Sequence, residues 1–186
     1  AFGVAPVTAV GTDLLYACAT KSGGVLVHGF NGNIDWRVVR RLSLGSLPAS
    51  ALTMLLLNMF NLHGAGSNAL FSAALAIALL LTSGILVVRR RFVAFYRARV
   101  GSPAEAQLRY WTIATGAVLG VLVSISSVGA GALGATALIL LYPELPASKI
   151  AGSDIAHAVP LTLVAGLGHL FLGTIDVALL VSLLVG

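Results

Sequence analysis

Apolar positions along this chain do not alternate in a strand-like rhythm. They fill stretches of about twenty residues, the length of helix that crosses a bilayer. Residues 11–30 form the first stretch, 42–62 the second and 69–88 the third. Residues 1–10, with Pro6, read as a loop or helix end. Asn31-Gly32-Asn33 is a turn signal, and 63–68 a short turn. From Arg89 to Arg99 arginines and aromatics are mixed, which continues the third helix into the interface until Gly101. Ser102-Pro103-Ala104-Glu105 is a capping box with proline at the first helical position, so a new helix starts there. Tyr110 to Tyr142 is too long for one straight span and too short for two. Its middle, Ser124 to Gly134, holds the serines and glycines that let a helix break, and Pro143 and Pro146 end its second half. Residues 152–171 form the next span, and another starts at 177. The pattern predicts an all-α, polytopic membrane protein with discontinuous helices.

The chain also repeats itself. A shift of 141 residues places Gly11-Thr12-Asp13 on Gly152-Ser153-Asp154, His28 on His169, Gly32 on Gly173 and Ile34-Asp35 on Ile175-Asp176. Apolar matches between membrane segments are cheap, but an acid, a histidine and a second acid in one ungapped register indicate a duplication. The expected division is a first repeat over 1–88, a basic connection over 89–109 and a second repeat over 110–186. The second copy is preceded by a Gly-rich break and a half-helix that the first copy lacks, and it stops where the first continues. The chain therefore reads as a piece of a longer protein, short of segments at both ends.

Composition agrees with a membrane setting. Of 186 residues 58% are hydrophobic and 9% charged, against about a quarter charged in a soluble domain. The net charge of +5 does not indicate nucleic acid, because nine of the eleven basic residues fall in two runs, Arg37/Arg40/Arg41 and Arg89 to Arg109. Such clustering sets topology and places the loops 31–41 and 89–109 in the cytoplasm. The duplicate of the first run is Ala178/Val181/Ser182, without charge. That loss, and an odd number of crossings between the copies, predict that the repeats are inverted. The lone Cys18 excludes an internal disulfide and a cysteine metal site.

Chemistry is expected at the break. A half-helix starting after Gly129 and Gly131 presents backbone N–H groups without intrahelical partners, a ready anion site, and Ser124, Ser126 and Ser127 add hydroxyls. The plainer role of these small residues is close helix packing. Asp13 and Asp154 read either as caps at equivalent helix heads or as intramembrane carboxylates for proton coupling. Lys21 shares a helix face with His28, and either holds an anion or snorkels to the interface. His28 and His169 precede the G-x-I-D turn and either bond it or relay protons. His157 lies one turn after Asp154, before a kink at Pro160. Asp35 and Asp176 read as caps. No enzyme constellation is present: there is no HExxH, G-x-S-x-G or cysteine pair, and nothing singles out Ser127 with a histidine as a protease.

These residues resemble the sulfite exporter TauE/SafE family, also called the toluene-sulfonate uptake permeases. The resemblance rests on Val128-Gly129-Ala130-Gly131, Tyr142-Pro143, Ile150-Ala151-Gly152-Ser153 and His169 to Asp176 in the second copy. In the first copy it rests on Ala9-Val10-Gly11-Thr12 and His28 to Trp36. The second Gly segment reads G-A-G-A, not three glycines in a row. The resemblance implies a two-repeat secondary transporter of small sulfur-containing anions, such as sulfite or organosulfonates, in a bacterial or archaeal inner membrane. It is expected to be an exporter working by alternating access, without a cofactor or metal. The substrate would meet Ser126, Ser127, Gly129, Gly131, Thr12, Ser153 and Lys21, with Asp13, Asp154, His28, His157 and His169 for proton coupling. Its partners would be the anion and membrane lipids, not nucleic acid; homo-oligomerisation is left open. A passive channel or a non-transporting scaffold is the competing reading.

Overall fold

The computed structural model describes residues 3–61, 68–99, 105–128 and 131–185; side chains in 68–99 are described as far as Val87, Leu70 and Leu86 apart. These residues form seven helices: α1 (Pro6–Phe30), α2 (Trp36–Met59), α3 (Asn68–Arg99), α4 (Glu105–Ser126), α5 (Ala132–Leu141), α6 (Ala147–Phe171) and α7 (Val177–Val185). The fold is all-α, and α2, α4 and α6 are long and apolar enough to cross a bilayer. α1 has the same length as α6 but carries Asp13 and Lys21 among small polar residues.

Helices begin earlier than the apolar pattern suggests. α1 starts at Pro6, whose fixed φ suits a first turn, so residues 6–10 are helix. α2 starts at Trp36, and Asp35 caps it by accepting from the N–H groups of Arg37 and Val38. Arg37, Arg40 and Arg41 therefore stand in its first two turns, not in a loop, and the helix ends at Met59 rather than 62. Hydropathy senses only the part of a helix that lies in hydrocarbon, whereas hydrogen bonding carries the helix on into the headgroups. Asp13 and Asp154 stand seven residues inside α1 and α6 and are not caps; Ala5 and Pro146 occupy those positions. The expected break is present. α4 stops at Ser126, Ser127 takes a left-handed φ of 55°, and α5 begins at Ala132.

α1 and α6 coincide under the shift of 141 residues, from Pro6 and Ala147 to Phe30 and Phe171. Each is followed by the same turn. Gly32 and Gly173 have φ of 65° and 68°, which only glycine adopts without strain. The Asn33 N–H donates to the His28 carbonyl at 2.9 Å, and the Thr174 N–H to the His169 carbonyl at 3.0 Å. The two helices pack antiparallel: Gly11 lies against His169, Leu15 against Gly166, Gly24 against Ile155, and His28 against Gly152. Two hydrogen bonds close the ends. The Asp176 N–H donates to Thr12 Oγ1 at 3.1 Å, and the Asp35 N–H to Ser153 Oγ at 2.8 Å.

Such reciprocity defines a two-fold axis. It crosses near Thr20 and Leu161, half-way along both helices, and lies perpendicular to them. For helices that span a bilayer that axis is in the membrane plane, so the repeats are inverted.

α2 and α4 run parallel. Gly116 packs on the Leu42 carbonyl, Gly120 on the Ser46 carbonyl, and Ser50 Oγ lies 2.7 Å from Ser124 Oγ. Glycine is needed because a Cβ at 116 or 120 would run into the facing backbone. Lipid tails are as apolar as leucine, so close backbone approach, rather than hydrophobic burial, drives such packing. α5 turns back toward the end where α4 began. Tyr142, its C-cap, places its hydroxyl 2.8 Å from Thr112 Oγ1 and accepts from Arg41 Nη1 at 3.4 Å. Arg41 Nη2 also reaches Glu105 at 2.9 Å. α4 and α5 thus make an interrupted hairpin behind the α1–α6 pair, joined to it through Val10, Leu14, Val123, Leu161 and Ala165.

Candidate functional site

Lys21 is one residue from the two-fold axis, and its counterpart in α6 is Thr162. It therefore breaks the symmetry at mid-depth, where a lone charge is costly. Two carboxylates balance it; His157, a base, stands in its field without balancing it. Lys21 interacts electrostatically with Asp154, with Asp13 and with His157. Asp13 lies eight residues back on the same helix, about 12 Å along the axis.

Both carboxylates meet the interrupted hairpin. Asp13 Oδ2 accepts from the Ser127 hydroxyl at 2.6 Å, so the strained residue at the end of α4 is fastened to α1. Asp154 lies against the first turn of α5: a Cβ on Gly134 would occupy the place of its Oδ1. The half-helix end expected to stand open for a ligand thus has a carboxylate of the protein's own beside it. Gly131 is the residue just before α5; Gly129 is outside the described residues.

The other polar residues join these elements. His157 Nε2 lies 2.8 Å from Ser46 Oγ, tying α6 to α2. His169 Nε2 lies 3.0 Å from the Ser124 carbonyl, and because a carbonyl only accepts, that nitrogen carries a hydrogen. Its Nδ1 lies 2.9 Å from Thr174 Oγ1. His169 therefore bonds the turn after α6 and also the end of α4. His28 differs: its Nδ1 is buried without a hydrogen-bond partner among the described residues. Thr12 and Ser153 are fully buried, with their hydroxyl oxygens accepting the Asp176 and Asp35 N–H groups. Ser126 turns back onto its own helix and donates to the Leu122 carbonyl at 2.7 Å.

Of the residues singled out by sequence, Asp154 and Asp13 flank Lys21 electrostatically from the two sides of the axis, Asp13 binds Ser127, and His157 lies one turn after Asp154. Thr12, Ser153, Ser126 and His169 instead hold turns and helix ends, and His28 packs against Gly152. Gly134, Ser46 and Ser50 escaped sequence reasoning. Their signal was only a small residue inside an apolar run, which is common in membrane helices. An apolar cavity of about 530 Å³ lies elsewhere, between α3, α4 and α5, lined by Leu81, Ile85, Trp111, Leu133 and Leu140. It offers an anion no counter-charge.

Comparison with known proteins fits this architecture. The family model for the sulfite exporter TauE/SafE matches residues 1–186. The chain is 35% identical over 190 residues to "Probable membrane transporter protein YjnA" of Bacillus subtilis (strain 168), covering 99% of this chain and 72% of that protein. No solved structure matches. The chain belongs to the sulfite exporter TauE/SafE family and is a membrane transporter.

Proposed function

We propose that this TauE/SafE transporter moves small sulfur-containing anions, sulfite or organosulfonates, by alternating access as a secondary exporter. The observation that carries the reading is Lys21 at the crossing of two inverted helices, between Asp13, which binds Ser127 at the end of α4, and Asp154, which lies against the first turn of α5. An anion held there would meet the Lys21 ammonium, the Ser127 hydroxyl and the N–H groups that open α5. Asp13, Asp154 and His157 are the groups for proton coupling, because each feels Lys21 or faces the break. Thr12 and Ser153 act as clamps between the repeats. The arginine end of α2, with Glu105, faces the cytoplasm of a bacterial or archaeal cell, as the concentration of basic residues there favours. The repeats divide at the basic connection 89–109.

The test is exchange of labelled for unlabelled sulfite in proteoliposomes. Saturable exchange is expected, and Lys21→Met should slow it about tenfold or more, the loss of a charge-assisted contact of about 1.5–3 kcal/mol. Non-saturating conductance in planar bilayers would mark a channel, and absence of flux would remove the reading.

A further inference from the structure

Asp154 is only 4% exposed, and its Oδ1 has no hydrogen-bond partner among the described residues. A buried carboxylate oxygen without a donor is costly and is kept for a reason. That oxygen is aimed at Gly134, the third residue of a ten-residue helix whose N-terminus has no side-chain cap. The opening turn of a helix carries partial positive charge and N–H groups without intrahelical acceptors. Glycine at 134 is what allows the approach. The charged group facing Asp154 from α1 is Lys21, with Asp13 further along the same helix. On α6 itself the neighbouring titratable group is His157, bonded to Ser46 of α2. The described residues of α4 and α5 next to it add no charge.

We propose that Asp154 is a tethered stand-in for the transported anion, displaced from α5 and Lys21 when the anion binds and protonated as it leaves. This rests on the anion-transport reading above. Its logic is charge balance. In the empty carrier Lys21 is neutralised by the Asp154 carboxylate. In the loaded carrier it is neutralised by the substrate, and one proton from the medium sits on the displaced carboxyl oxygen. No other bond forms or breaks. Either form crosses mid-membrane without an uncompensated lysine, whereas two anions at one helix end would repel. One proton therefore travels with each anion, and Gly134 is a positioning residue that sets the coupling.

The experiment compares wild type with Asp154→Asn in proteoliposomes, measuring sulfite exchange without gradients and sulfite accumulation driven by an imposed pH gradient. The amide imitates the protonated carboxyl. Exchange should fall no more than several-fold, while accumulation is lost. Gly134→Ala, which pushes the carboxylate off the helix end, should likewise lower accumulation more than exchange, and it covers the case in which Asp154→Asn does not fold. Accumulation by Asp154→Asn at the wild-type level, or equal loss of exchange and accumulation in a folded variant, would overturn the proposal. Wild type without sulfite exchange would instead defeat the transport reading itself.

Discussion

Thr12 and Ser153, 141 residues apart, make the same hydrogen bond in opposite directions across one interface. Each accepts from the backbone N–H of the aspartate that precedes the next helix of the other repeat, Asp176 or Asp35. Both aspartates then cap: Asp35 for α2, and Asp176 by accepting from the Leu179 N–H of α7. One small hydroxyl thus fixes where the opposite repeat begins its following helix.

Thr12→Val and Ser153→Ala each leave a half-buried N–H without its acceptor. Either should destabilise the protein by about 1–3 kcal/mol. Thr12→Ser, which keeps the oxygen, should stay close to wild type. Thermal unfolding of the purified protein in detergent reads the difference.

The duplication was legible, because G-[ST]-D and H-x(3)-G-x-I-D recur in one register, and so was the break after Ser126, because serine and glycine accumulate there. The inversion was legible through the missing arginines of the second copy. What could not be read was which residues meet between copies. Thr12 and Ser153 looked like ligand groups because hydroxyls near glycine suit either role. Asp154 and Gly134 are twenty positions apart, and neither residue type betrays that one fits against the other. Helix starts are hidden for a different reason: Pro6 and Trp36 lie where hydropathy has already faded.

Ser127 combines a left-handed backbone with the hydrogen bond to Asp13. A non-glycine residue in that region costs about 1–3 kcal/mol. Ser127→Gly should relieve part of this and raise the melting temperature, yet slow transport because the hydroxyl is gone. Ser127→Ala should slow transport without the gain in stability. Melting curves and exchange rates on the same preparations separate the two effects.

The α2–α4 seam tolerates no side chain at Gly116, where a Cβ would enter the Leu42 backbone. Gly116→Val should cost about 3 kcal/mol or more and reduce the yield of folded protein. Gly23, with nothing within 4 Å of an added Cβ, should accept alanine without loss. Size-exclusion profiles after solubilisation check both.

The inverted relationship of the repeats is tested most directly by the sidedness of Phe30 and Phe171, equivalent residues at the ends of α1 and α6 and each 89% exposed. With Cys18 replaced by alanine, Phe30→Cys and Phe171→Cys are treated in intact cells with a membrane-impermeant maleimide. Phe171→Cys should be labelled at once and Phe30→Cys only after permeabilisation. Labelling of both from the same side would contradict the inversion, and with it the central position of Lys21.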